Sequence, residues 1–570
     1  MNKVLSKILL CAATGSMLAG CFSGNDAPEI TPGTALFDNF SYEGKDRFYE
    51  QNPLPDEQSF YTPILPGWYS DPSICTNGKG DYFLVTSTFT YFPGVPIFHS
   101  RDLVNWKQVG HVLSRPSQLV NMERQHVSGG IFAPAISYNP HNETYYMITT
   151  NVGAGNFYVK TKDPFGEWSD PIRVPEVGGI DPSIFFDDDG KAYVVNNDDA
   201  PDFKAEYDGH RTIRVQEFDW KNDKMVGPRK IIVNKGVHPE EKPIWIEGPH
   251  MYKINGKYFL MDAEGGTSVN HSEVIFRSDS PWGPFVPWKK NPILTQRHLD
   301  PTRPNPITCA GHADILQTPE GDWWGVFLAC RPIDNKFENL GRETFLMPVK
   351  WSEDGFPYFT QGDEVIPMIQ RREGVVRGKD VTFGNFNVSE EFGDTVLGMQ
   401  WMTLRGPATD LYSLTQTPGY LTLTCADKSA KERGVPALVC RRMQHHNFVA
   451  STRMYFDPAN GSEKAGLMLF KDETHQLFMA VSQTEKGRAI SLIKVGVPED
   501  KVISTDILPE DATCFDLNVF SEGTSYEFAY SLDKGKTWKV LASGIDAGYL
   551  STATAGGFTG TTIALHATSK

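Results

Sequence analysis

Residues 71–74 read Asp-Pro-Ser-Ile, and residues 181–184 repeat the same tetrapeptide. Each copy leads into a β-type hairpin rich in aromatic residues, and Glu247 precedes a third hairpin of similar texture at residues 251–263. A single Asp-Pro pair is typical of a turn, because Asp caps the local backbone and the residue before Pro favours extended geometry. Two copies in matching positions instead indicate a repeated sheet unit with an acid at its head.

Five such units can be aligned on their second strands, which are short, apolar and rich in aromatic residues. These strands start about 45 to 65 residues apart, at Asp81, Thr144, Lys191, Lys257 and Asp322. Repeats of this length are typical of four-stranded propeller blades, and no long segment has a sustained helical period. The sequence therefore predicts an all-β fold that begins with a five-bladed β-propeller.

The innermost strand of each predicted blade opens with a residue that faces the central funnel of a propeller. These five residues are Asp71, Ala133, Asp181, Glu247 and His312. Three acids and a histidine from separate blades are therefore expected to share one cavity.

The blade pattern ends in a charged, Arg-rich and Gly-containing segment at residues 361–387, which we interpret as a linker. Alternating strands return at residues 388–570 and predict a C-terminal β-sandwich of the type found in sugar-binding modules. The preceding parts are predicted to be a signal peptide at 1–20, a tether and lead-in at 21–58, and the propeller at 59–360.

The N-terminus has the features of an export signal. Lys3 and Lys7 precede an apolar stretch at residues 8–18, and the Leu-Ala-Gly-Cys sequence at 18–21 looks like a bacterial lipobox. Cys21 would then be the lipidated first residue of a lipoprotein in the periplasm or outer membrane of a Gram-negative-type bacterium, with the lipid as its only membrane contact. An ordinary secretory signal cut nearby is the alternative.

Charge and cysteine content exclude several classes of function. The 570 residues have a formal net charge of −16, which disfavours nucleic acid, because phosphate binding needs clustered Lys and Arg. The cysteines after Cys21 lack metal-type spacing, so a zinc site is not expected. They are predicted to be mostly buried thiols, with Cys309 and Cys330 the first candidates for any disulfide. A neutral substrate fits best, and the sequence leaves the oligomeric state open.

The three acids suit glycosidic bond cleavage, which needs one carboxylic acid and one carboxylate in different environments. Asp71 lies near polar backbone groups and suits the role of a base that stays ionised. Glu247 is flanked by Trp245, Ile246 and Pro249, an apolar setting that raises a carboxyl pKa and suits a proton donor. Asp181 would keep Glu247 protonated by like-charge repulsion and orient the substrate.

Other candidate residues have two interpretations each. His312 is either hydrogen-bonded structure or an axial residue that binds water or a hard cation such as calcium; no cofactor is required. Arg342 could clamp sugar hydroxyls or pair with an acid such as Glu343. Phe89 and Phe132 could be pocket walls or core residues.

Several motifs in collinear order resemble glycoside hydrolase family 43. They are Asp71-Pro-Ser-Ile, Ser87-Thr-Phe-Thr-Tyr-Phe-Pro-Gly, His99-Ser-Arg-Asp-Leu-Val-Asn-Trp, Ala133-Pro, Asp181-Pro-Ser, Glu247-Gly-Pro-His, Ala263-Glu-Gly-Gly-Thr, Gly311-His and Leu340-Gly-Arg-Glu-Thr. The resemblance covers roughly residues 63–357. It implies a five-bladed propeller that acts with inversion, as a β-xylosidase, α-L-arabinofuranosidase or endo-arabinanase.

Position by position, the resemblance implies that Asp71 is the general base, Asp181 the pKa modulator and Glu247 the general acid. It also implies that Phe89, Thr267 and Arg342 are pocket residues and that His312 is the axial histidine. The second domain resembles the β-sandwich of xylosidase-like members, which can close one side of the pocket and favours exo action.

Two positions depart from the family's xylosidases, which usually have Trp and Phe where this chain has Phe132 and Ile180. Smaller side chains at these positions imply a sugar-binding pocket of a different shape and favour a furanosyl substrate. The expected activity is therefore removal of terminal α-L-arabinofuranosyl units, with β-D-xylosyl units as a second substrate, from oligosaccharides of plant-cell-wall hemicellulose such as xylan. The alternatives are a β-xylosidase proper, an endo-arabinanase with an open groove, and a non-catalytic lipid-anchored glycan-binding protein.

Overall fold

The computed structural model describes residues 27–570, so the predicted signal peptide and Cys21 lie outside the described residues. Within that range the α-helices are short, namely α1 (Arg47–Gln51) and α2 (Thr552–Ala555), and none is long and apolar enough to cross a membrane. Single 3₁₀ turns occur at Pro116–Gln118, Met122–Arg124, Pro201–Phe203, Pro239–Glu241 and Ala547–Leu550. Nearly all other regular structure in the described chain is β-strand, as predicted.

The first strand, β1 (Thr34–Gly44), corrects one domain assignment. The sequence predicts a tether and lead-in at residues 21–58, but β1 lies inside a sheet of the C-terminal sandwich, between two strands of that domain. Its Phe37 and Phe40 are buried. A β-bulge between Phe37 and Asn39 shifts the inward-facing positions by one residue, so the period-2 pattern that identifies a half-buried strand is interrupted.

The propeller has five blades in chain order, which confirms the predicted architecture. Blade 1 contains β3 (Ser73–Thr76), β4 (Tyr82–Val85), β6 (Gly94–Ser100) and β7 (Lys107–Leu113), while β5 (Tyr91–Phe92) leaves it. Blade 2 contains β8 (Ala135–Asn139), β9 (Thr144–Asn151), β10 (Gly155–Thr161) and β11 (Ile172–Arg173). Blade 3 contains β12 (Ile180–Phe186), β13 (Ala192–Asp199), β14 (Arg211–Asp219) and β15 (Lys224–Asn234).

Blade 4 contains β16 (Glu247–Ile254), β17 (Lys257–Glu264) and β18 (Ser272–Ser278), with β19 (Val286–Pro287) and β20 (Leu294–Thr295) both paired to β18. Blade 5 contains β21 (Thr308–Gln317), β22 (Trp323–Cys330) and β23 (Glu343–Pro348). The N-terminal side of the propeller closes onto blade 5, because Leu65 bridges Thr344 of β23. Two small sheets, β2 (Ser59–Tyr61) with β26 (Ile369–Arg371) and β24 (Lys350–Trp351) with β25 (Pro357–Tyr358), complete this part of the chain.

The second strands of the blades are buried along almost their whole length. In β4 all four residues are buried, and β9 is buried at all eight positions. Stacked blades cover both faces of such strands, so their sequences read as continuous runs of aromatic and aliphatic residues rather than as alternation. Burial of these apolar runs between neighbouring blades holds the inner strands in place around the propeller axis.

The C-terminal domain is the predicted β-sandwich, formed by two sheets. The first sheet has the order β29 (Tyr412–Ser413), β30 (Leu421–Thr424), β1, β32 (Asn447–Phe456), β37 (Cys514–Glu522), β38 (Ser525–Ser531), β39 (Lys539–Asp546), with β27 (Asn387–Glu390) also paired to β1. The second has the order β36 (Lys501–Ile507), β35 (Gly487–Val495), β34 (His475–Thr484), β33 (Lys464–Asp472), β40 (Thr562–Thr568), β31 (Ala437–Arg442), β28 (Met402–Leu404), β5. Strand β32 alternates buried and partly exposed residues, as expected for strands with one inward face.

The two domains share a sheet and a hydrophobic cluster. Strand β5 of the propeller pairs with β28 of the sandwich, with Phe92 opposite Thr403 and Tyr91 opposite Leu404. Apolar side chains from both domains form one buried cluster that includes Trp68, Phe89, Tyr91, Leu404, Met468 and Phe470. The sandwich therefore lies against the part of blade 1 that carries Phe89, Tyr91 and Phe92.

Candidate active site

A cavity of about 310 Å³ lies at the heads of the innermost strands. Every catalytic and substrate-binding residue proposed from the sequence lines it, namely Asp71, Asp181, Glu247, Phe89, Phe132, Ile180, Thr267, Arg342 and His312. The same cavity is also lined by Ala133, Asn197, Arg211, Trp245 and Phe558. Residues from all five blades and one from the sandwich therefore meet at a single site.

An unusual backbone conformation directs the polar residues into this cavity. Asp71, Asp181 and His312 have φ values of 52°, 52° and 54°, which place them in the left-handed region that few non-glycine residues adopt. In blade 4 the residue with the left-handed conformation is Gly248, at φ 59°. A Cβ at this position would lie 2.8 Å from the His312 ring. Strain of this kind persists where the surrounding structure fixes it and is common at functional sites.

β-bulges accompany this conformation at the heads of three inner strands. Register shifts occur between Ile180 and Ser183, between Glu247 and His250, and after Thr308. A bulge bends its strand and re-aims a side chain. The bulges in blades 3, 4 and 5 explain how the sheet ends present acids and an imidazole to the axis instead of pairing them in the ladder.

Asp71 is held in its ionised form. Its carboxylate accepts a hydrogen bond from the Ser87 hydroxyl at 2.6 Å and lies 3.4 Å from Nη1 of Arg342. Burial opposes ionisation, but the positive charge of Arg342 and the Ser87 hydrogen bond outweigh it and lower the pKa of Asp71 below its ordinary value. Asp71 is therefore a carboxylate that can accept a proton.

Glu247 and Asp181 have the opposite electrostatic environment. Burial, followed by the negative charge of Asp181, raises the pKa of Glu247 well above its ordinary value. Burial and the charge of Asp71 likewise raise the pKa of Asp181. Mutually repelling carboxyls that are buried in one cavity cannot all ionise, so at least one retains its proton near neutral pH. The cavity thus holds a carboxylate and a carboxylic acid together.

Arg342 belongs to the cavity and does not pair with its neighbour. The carboxylate of Glu343 is fully buried and accepts two hydrogen bonds of 2.7 Å from Arg331 and one of 2.9 Å from the Gly67 N–H. Arg342 instead lies beside Asp71 and over the ring of Phe558, with 5.0 Å to the ring centroid. This arrangement leaves guanidinium N–H groups available to a bound sugar.

His312 lies on the axis with Nδ1 at 3.9 Å from Oδ1 of Asp71. Burial lowers the pKa of His312 to about 4, so the ring is neutral near pH 7. A second cavity of about 10 Å³, lined by His312, His250 and both aspartates, continues the axis, and this volume suits a single water molecule. Calcium takes six to eight oxygen ligands, and Arg342 places a cation beside the nearest carboxylate, so these residues fit water better than calcium.

The sequence pattern does not indicate four of the lining residues as sugar contacts. Phe558 comes from the sandwich and contacts the rings of Phe89 and Phe132, with centroids 6.1 and 5.7 Å away. Its separation in sequence from the blades leaves no local signal. Asn197 lies near the end of β13 and Arg211 at the start of β14, and only their positions one and two strands from Asp181 could have indicated them. Trp245 was considered only as an apolar neighbour of Glu247.

The cysteines of the described chain are free thiols. Cys309 and Cys330, the candidate pair for a disulfide, are both buried on the adjacent strands β21 and β22 of blade 5. The expectation of mostly buried thiols holds, because only Cys425 and Cys514 are partly exposed.

Comparisons with known proteins agree with this architecture. The family model described as Glycosyl hydrolases family 43 matches residues 60–357, and the one described as Beta xylosidase C-terminal Concanavalin A-like domain matches residues 389–570. A xylosidase/arabinosidase of Butyrivibrio fibrisolvens is 39% identical over 520 residues, which cover 89% of this chain and 95% of the relative. The non-reducing end alpha-L-arabinofuranosidase BoGH43B of Bacteroides ovatus is 36% identical over 525 residues, which cover 90% and 92%.

Solved structures lead to the same assignment. The crystal structure of a GH43_12 protein retrieved from a capybara gut metagenome has a TM-score of 0.87 at 42% identity, and the match covers 94% of this chain and 100% of that one. A xylan beta-1,4-xylosidase from Bacillus halodurans has a TM-score of 0.79 at 31% identity, with 90% and 97% covered. Since the matches extend through both domains and most of each relative, the chain belongs to glycosyl hydrolases family 43 and is a glycosidase.

Proposed function

We propose that this glycosidase is an exo-acting, inverting enzyme that releases terminal α-L-arabinofuranosyl units, with β-D-xylosyl units as a second substrate, from plant-cell-wall hemicellulose oligosaccharides. The observation that carries the proposal is the unequal protonation of the acids in one cavity. Arg342 and Ser87 favour the carboxylate of Asp71, whereas burial and Asp181 favour the protonated form of Glu247. A carboxylic acid and a carboxylate are the pair that glycosidic bond cleavage requires, and inversion is the outcome that the family resemblance implies.

In the proposed reaction, Asp71 accepts a proton from a water molecule as that water attacks the anomeric carbon. Glu247 gives its proton to the glycosidic oxygen as the bond to the leaving sugar breaks. Asp181 keeps Glu247 protonated until that moment through its negative charge. The product carries the inverted anomeric configuration, because water and leaving group occupy opposite faces of the sugar.

The size of the cavity and its wall from the sandwich support exo action. Its volume of about 310 Å³ lies at the lower end of the 300–1,000 Å³ usual for ligand sites, and Phe558 of the sandwich forms part of its wall. An endo-arabinanase would need a groove open at both ends to admit a polymer. The wall formed by the sandwich therefore favours binding of a chain end.

The choice of sugar rests on two wall residues and on the relatives. Phe132 and Ile180 line the cavity where xylosidases of the family usually have larger side chains. The Bacteroides ovatus relative is named for α-L-arabinofuranosidase activity and the Butyrivibrio relative for both activities. This combination favours arabinofuranosides first and xylosides second.

Release of phenol from aryl α-L-arabinofuranoside and aryl β-D-xyloside tests the proposal, with Asp71→Asn as the matched inactive control. We expect a higher kcat/KM on the arabinofuranoside, and proton NMR during the first turnovers should show the inverted anomer. A higher kcat/KM on the xyloside would assign the β-xylosidase alternative, and internal products from linear arabinan would assign the endo-arabinanase. No hydrolysis of either glycoside would favour a glycan-binding protein.

We further propose that the chain is a lipoprotein anchored through Cys21. This proposal rests on the Leu-Ala-Gly-Cys sequence at 18–21 and the basic and apolar segments before it. Expression with radiolabelled palmitate should label the wild type and leave Cys21→Ala unlabelled. A wild-type protein without label would indicate an ordinary secretory signal.

A further inference from the structure

One part of the cavity wall takes no part in the proton transfers proposed above. It is formed by Trp245 and Arg211, which line the cavity together with Glu247. Trp245 is 39% exposed, whereas Asp71, Asp181 and Glu247 are 6%, 7% and 8% exposed. The acids therefore lie in the depth of the cavity, and the indole lies toward its mouth.

Backbone hydrogen bonds support the position of Trp245. Trp245 has a φ of 46°, which is a true outlier for so large a side chain, and its N–H donates to the Gly209 carbonyl at 2.9 Å. The next residue, Ile246, is fully buried, and its carbonyl accepts a hydrogen bond of 2.6 Å from Nδ2 of Asn197. The backbone of Trp245 is thus held two residues before Glu247 in a strained but well-supported conformation, as is common at binding sites.

Arg211 is oriented by the same network. Its Nε and Nη2 both donate to Oδ1 of Asn197, at 3.1 and 2.8 Å, and its Nη1 donates to Asp199. A guanidinium has five N–H donors, so two remain after these three bonds. Asn197 therefore ties the guanidinium of Arg211 to the backbone that presents Trp245 and Glu247.

The chemistry of the acid defines which sugar lies against this wall. Glu247 must contact the oxygen that joins the terminal sugar to the leaving sugar. The terminal sugar occupies the deep part of the cavity between Asp71 and Glu247. The leaving sugar must then lie on the solvent side of Glu247, where Trp245 and Arg211 line the mouth.

We propose that Trp245 and Arg211 form the binding site for the leaving sugar, with a neutral pyranose ring stacked on the indole and its hydroxyls accepting hydrogen bonds from the guanidinium. The flat indole matches the apolar face of a pyranose. Arg211 pairs with Asp199, and its charge also lowers the pKa values of Asp181 and Glu247. Its two remaining N–H groups can donate to sugar hydroxyls. This inference rests on the proposed function and specifies its substrate as a pentose linked to a pyranose.

The test compares two substrates with the same terminal sugar. The glycosyl fluoride fills only the deep part of the cavity, whereas the disaccharide with D-xylose as the leaving sugar also fills the mouth. For Trp245→Ala we expect the ratio of kcat/KM on the disaccharide to kcat/KM on the fluoride to fall about tenfold, since aromatic stacking contributes on that order. Trp245→Phe should restore most of the ratio, and Arg211→Lys should lower it with the main effect on KM.

Phe203→Ala is the matched control, because Phe203 is 85% exposed on the neighbouring turn and does not line the cavity; its ratio should equal that of the wild type. An unchanged ratio for Trp245→Ala, or an equal fall on both substrates, would overturn the inference while leaving the proposed function intact. If wild-type enzyme hydrolyses neither an arabinofuranosyl nor a xylosyl fluoride, the proposed function itself fails and the inference fails with it.

Discussion

The ring of Phe558 in the sandwich is stacked on the ring of Phe89 in the propeller, with 6.1 Å between centroids and 26° between planes. The loop that carries Phe558 is tied down on both sides. The Phe558 N–H donates to the Ser128 hydroxyl at 2.9 Å, and the buried Lys471 donates to the Thr559 carbonyl and to the Thr552 hydroxyl. The C-terminal domain thus supplies a fixed wall of the catalytic cavity.

Replacement of Phe558 by Ala should open this wall without unfolding the protein. We expect KM for the preferred aryl glycoside to rise and kcat/KM to fall about tenfold, because an aromatic contact with the sugar and with Arg342 is lost. Steady-state kinetics give the two parameters, and the melting temperature should stay close to that of wild type, since Phe558 is only half-buried. An unchanged KM would mean that the sugar does not reach this wall.

Substitutions of the two catalytic acids should differ in how their effects on activity depend on the leaving group of the substrate. Asp71→Asn removes the base and should reduce kcat by orders of magnitude on every substrate. Glu247→Gln removes the proton donor, so its loss should be large on a disaccharide and smaller on an aryl glycoside whose phenolate departs without protonation. Parallel kinetics on both substrates measure this difference. Equal losses for both variants on both substrates would contradict the assigned roles.

The pH profile should be bell-shaped, with both limbs displaced outward. Activity falls at low pH when Asp71 gains a proton, and the lowered pKa of Asp71 moves this limb below its ordinary position near 3.9. Activity falls at high pH when Glu247 loses its proton, and burial and Asp181 raise the pKa of Glu247 and move this limb above 4.3, its ordinary position. Asp181→Asn removes one negative charge, so the alkaline limb of kcat/KM should shift to lower pH. A limb that stays in place would exclude Asp181 as the modulator.

Much of the site could be predicted from the sequence because each catalytic residue heads a repeated unit. Asp71, Asp181 and Glu247 lie at the heads of strands whose blade geometry directs them to one axis, so the periodicity of the sequence brings them together. Phe558 and Arg211 could not be predicted in this way. Their positions depend on how the sandwich lies against the propeller and on side-chain networks between strands, which no local pattern encodes.

The buried acid Asp262 should make folding stability depend on pH. Both carboxylate oxygens of Asp262 lack a hydrogen-bond partner within the described chain, and the side chain is 0% exposed in β17. Burial, followed by the charge of Glu264, raises the pKa of Asp262 far above its ordinary value. The folded state therefore binds the proton more tightly than the unfolded state, and stability falls as the pH rises from about 4 toward the folded-state pKa.

Each unit of pKa difference corresponds to about 1.4 kcal/mol of unfolding free energy. Asp262→Asn cannot ionise, so its melting temperature should decline less between pH 5 and pH 8 than that of wild type. Glu485→Gln, at an exposed turn, serves as the control and should follow the wild-type slope. Identical slopes for wild type and Asp262→Asn would show that Asp262 does not control this pH dependence.

The sandwich should require β1 in order to fold. Strand β1 pairs with β32 at nine positions and also with β30 and β27, and its Phe37, Phe40 and Tyr42 are buried in the sandwich core. Without β1, β32 would lose one of its two partners, and the core would lose these three aromatic rings. Removing large aromatic core side chains costs about 3–5 kcal/mol each, so the loss of all three is comparable to the whole stability of a typical domain.

A fragment of residues 388–570 should therefore lack the near-ultraviolet circular dichroism of packed aromatic side chains. Addition of a synthetic peptide of residues 33–45 should restore that signal in a saturable manner, because the peptide supplies the missing strand. A peptide in which Phe37 and Phe40 are replaced by Asp is the matched control and should not restore it, since buried charges are strongly disfavoured. A fragment that folds cooperatively without any peptide would show that β1 is an accessory strand and that the sandwich core is complete without it.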